Sequence, residues 1–127
     1  ENYHDISKVI PFCNEMHLAY VASDLAIVRS GASSLAEISA YAIPAILVPY
    51  PFATDDHQTL NANYYVKNGA ARLIKEEQLN ADSLFSFIDE LFKDDGKYYR
   101  EMKTSMKNLS RVDSAEKICD KINNLCN

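Results

Sequence analysis

The stretch that leaves this chain the fewest choices runs from Asp24 to Ala62, DLAIVRSGASSLAEISAYAIPAILVPYPFATDDHQTLNA. It opens with a short apolar run, Leu25 to Val28, whose length and β-branched content suit a buried parallel strand. Arg29-Ser30-Gly31-Ala32-Ser33-Ser34 then crowds small residues into a turn. Leu35, Ile38 and Ala42 recur at helical spacing, so the unit reads strand, tight turn, helix. The first backbone N–H groups of such a helix have no intrahelical partners. With the positive end of the helix dipole they make a site for phosphate. Glu37 falls one turn into the helix, where a carboxylate can accept from two neighbouring hydroxyls, as acidic residues do for ribose in nucleotide-binding βα units. A ligand-free βαβ unit with a Ser-rich helix start is the plainer alternative.

The second half of the stretch narrows the reading. Ala45 to Val48 is another apolar strand, and Pro49-Tyr50-Pro51 stops it. A polar loop from Ala53 to Asp56 leads into His57-Gln58-Thr59-Leu60-Asn61-Ala62. In open parallel α/β sheets, ligands lie beyond the carboxyl ends of the strands. Both polar clusters follow strands and therefore belong to that edge. Hydroxyls, carboxylates and amides on two adjacent strand-end loops suit a nucleotide joined to a sugar.

At 127 residues, 47% of them apolar, the chain falls in the size range of one domain with one core. A formal charge of −5 argues against nucleic acid as a partner, since such a binder shows a basic patch or stripe. No apolar run approaches the roughly 20 residues that cross a bilayer, and the polar start ENYHDISK is not a secretory signal. Cys13, Cys119 and Cys126 are odd in number, lack C-x-x-C spacing and read as reduced cytosolic thiols. His4, His17 and His57 share no ligand-like spacing with them, so neither a metal nor any other cofactor is expected.

In chain order, residues 1–7 form a polar lead-in, and the start without Met beside a strand suggests an excised segment. Lys8 to Phe12 is expected as a short strand, and Phe12 to Met16 as the loop into a helix carrying Met16, Ala19 and Tyr20 on one face. Asp24 reads as a turn or cap carboxylate. Arg29 can pair with a diphosphate or with a local carboxylate, and the sequence does not choose. Pro44 ends the helix after the small-residue turn. His57 to Lys67 reads as a helix with Leu60, Ala62 and Tyr64 facing inward. On it Gln58 and Asn61 lie three apart and share a face. An amide both donates and accepts, matching sugar hydroxyls and an acetamido group. Asn68-Gly69 caps that helix, with Gly69 free to take positive φ. Ala71 to Ile74 is expected as the last strand. Asn80 begins a helix with a stripe of Leu84, Phe85, Ile88, Leu91 and Phe92, and Asp94-Asp95-Gly96 breaks it. The next helix places Tyr99, Met102, Met106 and Leu109 on one side. Asp113 to Glu116 resembles a capping box, after which Ala115, Ile118, Cys119, Ile122 and Leu125 are expected to face inward.

Taken together, the motifs F-x-x-x-M (from Phe12), A-x-D (from Ala22), R-S-G-A-x-x-x-x-E (from Arg29), P-A-x-x-V-P (from Pro44), H-Q-x-x-N-A (from His57) and G-A-A (from Gly69) resemble the MurG family. That family is the undecaprenyl-diphospho-muramoylpentapeptide N-acetylglucosaminyltransferase of peptidoglycan synthesis. The resemblance runs from Lys8 to Ile74 by motif. Where the family usually has Gly, this chain has Ala42; His57 departs from the amide of some relatives.

The resemblance implies an α/β fold, a Rossmann-like parallel sheet with flanking helices, forming part of the C-terminal lobe of a two-lobed GT-B glycosyltransferase. Residues 1–127 would be a single partial UDP-sugar-binding domain, with the N-terminal acceptor domain absent. The donor would be UDP-N-acetylglucosamine and the acceptor the lipid-linked muramoyl-pentapeptide, reached through the missing lobe at the cytoplasmic face of the inner membrane. Phe12 and Cys13 would take the base, and Ser30, Gly31, Ala32, Ser33 and Ser34 the diphosphate. Glu37 would hold the ribose, and Gln58 with Asn61 the sugar. No catalytic base is assigned, because in such enzymes it comes from the other lobe, and no turnover is expected from this segment alone. Three alternatives stay open: a transferase with another nucleotide sugar or acceptor, a UDP-sugar epimerase, and a non-catalytic donor-binding subunit.

Overall fold

β2 (Ala45–Leu47) is buried along its whole length and pairs in parallel with β1 (Ala26–Val28) on one side and β3 (Ala71–Leu73) on the other. The computed structural model describes residues 7–126, without the side chain of Cys126. Strand order is β1-β2-β3, with Ala45 level with both Ala26 and Ala71. A central strand covered on both faces must be apolar throughout, which is why AILV runs unbroken here. The crossovers are α2 (Ala32–Ala40), between β1 and β2, and α3 (His57–Lys67), between β2 and β3. A 3₁₀ turn, Thr54–Asp56, precedes α3.

Successive residues of β2 face opposite sides, and two core clusters follow. Ala45 and Leu47 join Leu35, Ile38, Ile43, Ala62, Ala70, Ala71 and Met106. Ile46 and Val48 join Ile74, Phe87, Leu91 and Met102. The second cluster is closed by α4 (Ala81–Leu109), which Asn80 starts with a capping box: its side chain accepts from the Ser83 N–H, and the Ser83 hydroxyl accepts from the Asn80 N–H. Lys93 to Gly96 are non-helical, with Asp94, Asp95 and Gly96 at positive φ, so the expected break is present. The break re-aims the second half of α4, whose Met102 and Met106 reach different clusters.

Helices α2 and α3 end alike. After α2 the Ile43 N–H reaches the Ile38 carbonyl and the Ala42 N–H reaches Ser39; after α3 the Ala70 N–H reaches Tyr65 and the Gly69 N–H reaches Val66. Both are Schellman motifs, which need a left-handed residue just past the helix. Gly69 supplies it at φ 70°, whereas Ala42 is held at φ 53° despite its Cβ.

Several expectations are corrected. Lys8 to Phe12 is not a strand: among the described residues nothing pairs beside it, Pro11 offers no N–H, and Val9 and Phe12 are exposed. The polar lead-in lies, apart from Ser7, outside the described residues. α1 (Met16–Ala22) buries no residue fully, and of the expected face only Tyr20 packs on the core. On α3, Leu60 and Tyr64 face outward and Ala62 alone is fully buried. The inward stripe is Gln58, Asn61, Ala62 and Tyr65, at i, i+3, i+4 and i+7, and two of its members are polar. On α4 the deeply buried aromatic is Phe87; Phe85 is exposed, and Phe92 stacks on Tyr99 at 5.2 Å. α5 (Ser114–Cys126) forms, but Ala115, Ile118, Cys119, Ile122 and Leu125 are exposed and no described element covers them. Periodicity marks a face that can be covered; it does not supply the cover.

Candidate functional site

The chain leaves β1 through Arg29, Ser30 and Gly31 and enters α2 at Ala32. Ser30 is fully buried. Its Oγ donates to the Gln58 carbonyl at 2.8 Å, and its own carbonyl accepts from Asn61 Nδ2 at 3.2 Å. Gln58 Oε1 in turn accepts from the Tyr50 N–H at 2.9 Å. These bonds bind the loop after β1 to the start of α3 and to the loop after β2. The two strand-end loops singled out in the sequence are therefore one hydrogen-bonded unit. Within it Ser30 and Asn61 act on the protein's own backbone, and Gln58 keeps its amide NH₂ beyond the bond to Tyr50.

Gly31 is the N-cap of α2, at φ −69° and ψ 145°, and no side chain caps the helix. The first intrahelical bond runs from the Leu35 N–H to the Gly31 carbonyl at 3.0 Å. The N–H groups of Gly31, Ala32, Ser33 and Ser34 therefore have no intrahelical acceptor. A Cβ placed on Gly31 meets nothing within 4 Å. Glycine is not needed here for its φ; what it leaves is open space in front of uncapped donors.

Glu37 lies six residues beyond Gly31 on α2, and its Oε2 accepts from the Tyr20 hydroxyl at 2.6 Å. This bond to a carboxylate, with partial burial and the nearby negative charge, pushes the Tyr20 phenol up to about 12. The Tyr20 ring lies 5.4 Å from that of Tyr41. The sequence reading places Tyr20 only on an apolar helix face and gives it no part in the site: its partner is 17 residues away, and no local pattern signals such a contact.

Arg29 finds a local carboxylate. It meets Glu76 at 2.7 Å, donates to the carbonyls of Val48 and Pro49 at 3.3 and 3.2 Å, and lies 5.6 Å from the centre of the Tyr50 ring. It thereby ties the exits of all three strands together. His57 Nδ1 bonds the Thr54 carbonyl, so that nitrogen carries the proton and the ring closes the turn ahead of α3. Phe12 is 77% exposed and Cys13 half-buried, both in the irregular segment before α1 and outside the hydrogen-bonded unit. Cys13 and Cys119 are free thiols. The larger surface cavity, about 550 Å³, opens over the ends of β2 and β3 among Pro49, Pro51, Asp56, Thr59 and Lys75 to Glu77 and holds none of the candidate residues. Glu37 borders a smaller one, about 360 Å³, with Tyr41 and Tyr65. Among the described residues no cluster of His, Cys, Asp and Glu could hold a metal ion, and no helix is long and apolar enough to cross a membrane.

Residues 1–118 match the glycosyltransferase family 28 C-terminal domain. The chain is 45% identical over 104 residues to the UDP-N-acetylglucosamine–N-acetylmuramyl-(pentapeptide) pyrophosphoryl-undecaprenol N-acetylglucosamine transferase of Halothermothrix orenii, covering 82% of this chain and 28% of that one. It is 44% identical over 112 residues to the enzyme of the same name from Methylococcus capsulatus, covering 88% of this chain and 31% of that one. The chain thus spans about a third or less of the relatives it matches. Its fold superposes on the crystal structure of Acinetobacter baumannii MurG with a TM-score of 0.81 and 29% identity, over 92% of this chain and 33% of that one. The parallel sheet and flanking helices expected for the C-terminal GT-B lobe are borne out. So is the resemblance read from the motifs, and the chain belongs to glycosyltransferase family 28, as its C-terminal domain in the MurG family.

Proposed function

We propose that this chain is the UDP-N-acetylglucosamine-binding part of an inverting N-acetylglucosaminyltransferase acting on lipid-linked muramoyl-pentapeptide. The observation that carries the reading is the start of α2: an uncapped helix N-terminus opening on free space at Gly31, tied to the start of α3 that presents Gln58. As the glycosidic bond breaks, negative charge grows on the leaving diphosphate. The N–H groups of Gly31 to Ser34 and the positive end of the helix dipole oppose that charge without reorganising. The Glu37 carboxylate takes the ribose hydroxyls, and the Gln58 amide, with Asn61 behind it, takes the sugar. Phe12 and Cys13 close on the base. The relatives' names, which join this donor to a pyrophosphoryl-undecaprenol acceptor, support the substrate pair.

The acceptor site and the general base are assigned to a second lobe, outside these 127 residues. Peripheral attachment at the cytoplasmic face of the inner membrane is proposed with it, in keeping with a lipid-linked acceptor and no membrane-crossing helix among the described residues. The test is ligand-observed NMR of the chain with UDP and UDP-N-acetylglucosamine, beside an assay with lipid acceptor. Weak binding of both nucleotides without transfer is expected. Absence of binding, or robust transfer by this chain alone, overturns the assignment.

A further inference from the structure

Glu37 is an exposed side chain on a helix, with several rotors and, on the reading above, a task that needs one orientation. A carboxylate free to sample its rotamers must be ordered at each binding event, at a cost in affinity. The structure supplies the restraint from another element. Tyr20, on α1, is half-buried, packs on the core cluster of Leu35 and Ile38, and lies against the Tyr41 ring at 5.4 Å. Its hydroxyl reaches Glu37 Oε2 at 2.6 Å, the length of a charge-assisted O–H···O⁻ bond.

From this geometry we infer that Tyr20 is a positioning residue of the donor site, fixing the Glu37 carboxylate in the orientation that receives the ribose diol. The inference rests on the ribose assignment made above. An ionised carboxylate offers about four acceptor positions, and the phenol takes one. Enough remain for two sugar hydroxyls, so Tyr20 steers Glu37 without competing for its ligand. With its pKa raised to about 12, the phenol stays a donor across the range in which proteins are assayed.

The test compares UDP with its 2′,3′-dideoxy analogue by ligand-observed NMR titration of the 127-residue chain and its Tyr20→Phe and Glu37→Gln variants. Tyr20→Phe keeps the ring and its packing. It is expected to weaken UDP about three- to tenfold, the cost of ordering one side chain, while leaving the dideoxy analogue within about twofold. Loss of both nucleotides to the same degree, or of neither, overturns the positioning role. If Glu37→Gln removes the preference for UDP over the analogue while Tyr20→Phe does not, the ribose reading stands and this inference falls. If Glu37→Gln keeps the preference, the ribose reading falls and takes the inference with it. Failure of the unsubstituted chain to bind UDP overturns both.

Discussion

The side-chain amide of Asn61 donates to the carbonyl oxygen of Ser30 across 3.2 Å, and the Ser30 hydroxyl returns a 2.8 Å bond to the Gln58 carbonyl on the same helix. The loop after β1 and the start of α3 are thereby held as one surface. Residues chosen in the sequence for their chemistry toward a ligand spend part of it on holding the protein's own segments together.

Ser30→Ala leaves the Gln58 carbonyl without its hydroxyl partner at a fully buried site. It is expected to cost about 1–2 kcal/mol in urea unfolding, and Asn61→Ala about 1 kcal/mol. Because both bonds join the same two segments, the double variant should cost less than the sum. Additive losses would show that the two bonds act independently.

Ala42 and Gly69 occupy the same position in two Schellman motifs, at φ 53° and 70°. Left-handed backbone costs a residue with a Cβ roughly 1–2 kcal/mol, offset in part by the greater freedom of glycine in the unfolded chain. Ala42→Gly should therefore raise stability by about 0.5–1 kcal/mol, and Gly69→Ala should lower it by a similar amount. A Cβ on Gly69 would meet Ser105 Oγ at 3.5 Å, an ordinary contact, so the loss there is one of backbone strain. Thermal unfolding of both variants checks the opposite signs.

Gly31 separates stability from binding. Its φ of −69° suits any residue, and a Cβ there meets nothing within 4 Å. Gly31→Ala should leave the unfolding free energy within about 0.5 kcal/mol of the unsubstituted chain, as for surface changes in general. A methyl group in front of the uncapped N–H groups should nonetheless weaken UDP at least several-fold. Unchanged UDP affinity in a folded variant would remove the diphosphate from this corner.

The Tyr20–Glu37 bond carries a pH signature. The folded-state pKa of Tyr20, about 12, lies above the ordinary tyrosine value near 10. The bond therefore contributes fully below pH about 10 and is lost as pH rises from there through about 12. The stability difference between the chain and its Tyr20→Phe variant should be constant at neutral pH and shrink across that interval in urea unfolding. Glu37→Gln should bring the tyrosine titration back toward its ordinary range, read by tyrosinate absorbance.

Much of the architecture was legible because strands and turns are written in local chemistry. The unbroken apolar run of β2, the exact extent of α3, Gly69 beyond it and the break at Asp94 to Gly96 all rest on neighbours in sequence. The adjacency of the Ser30 and Gln58 loops followed from their places after parallel strands. What escaped depended on distant partners. The inward face of α3 is half amide, so an apolar count placed Leu60 and Tyr64 inside instead. α5 carries an apolar stripe that no described element covers, and Lys8 to Phe12 has β-like residues but no neighbouring strand. Tyr20 and Glu76, which hold Glu37 and Arg29, lie far from them in sequence and carried no local signal.

On the proposed reading, the amides opening α2 face the donor diphosphate while Glu37 faces the ribose. The most direct measurement is a ¹⁵N-edited NMR titration of the chain with UDP, following each backbone amide. The largest shifts are expected on Gly31, Ala32, Ser33 and Ser34, with Glu37 and Gln58 next. Quiet amides there, with shifts gathered instead at Asp56, Thr59 and Lys75 to Glu77 around the larger cavity, would contradict it.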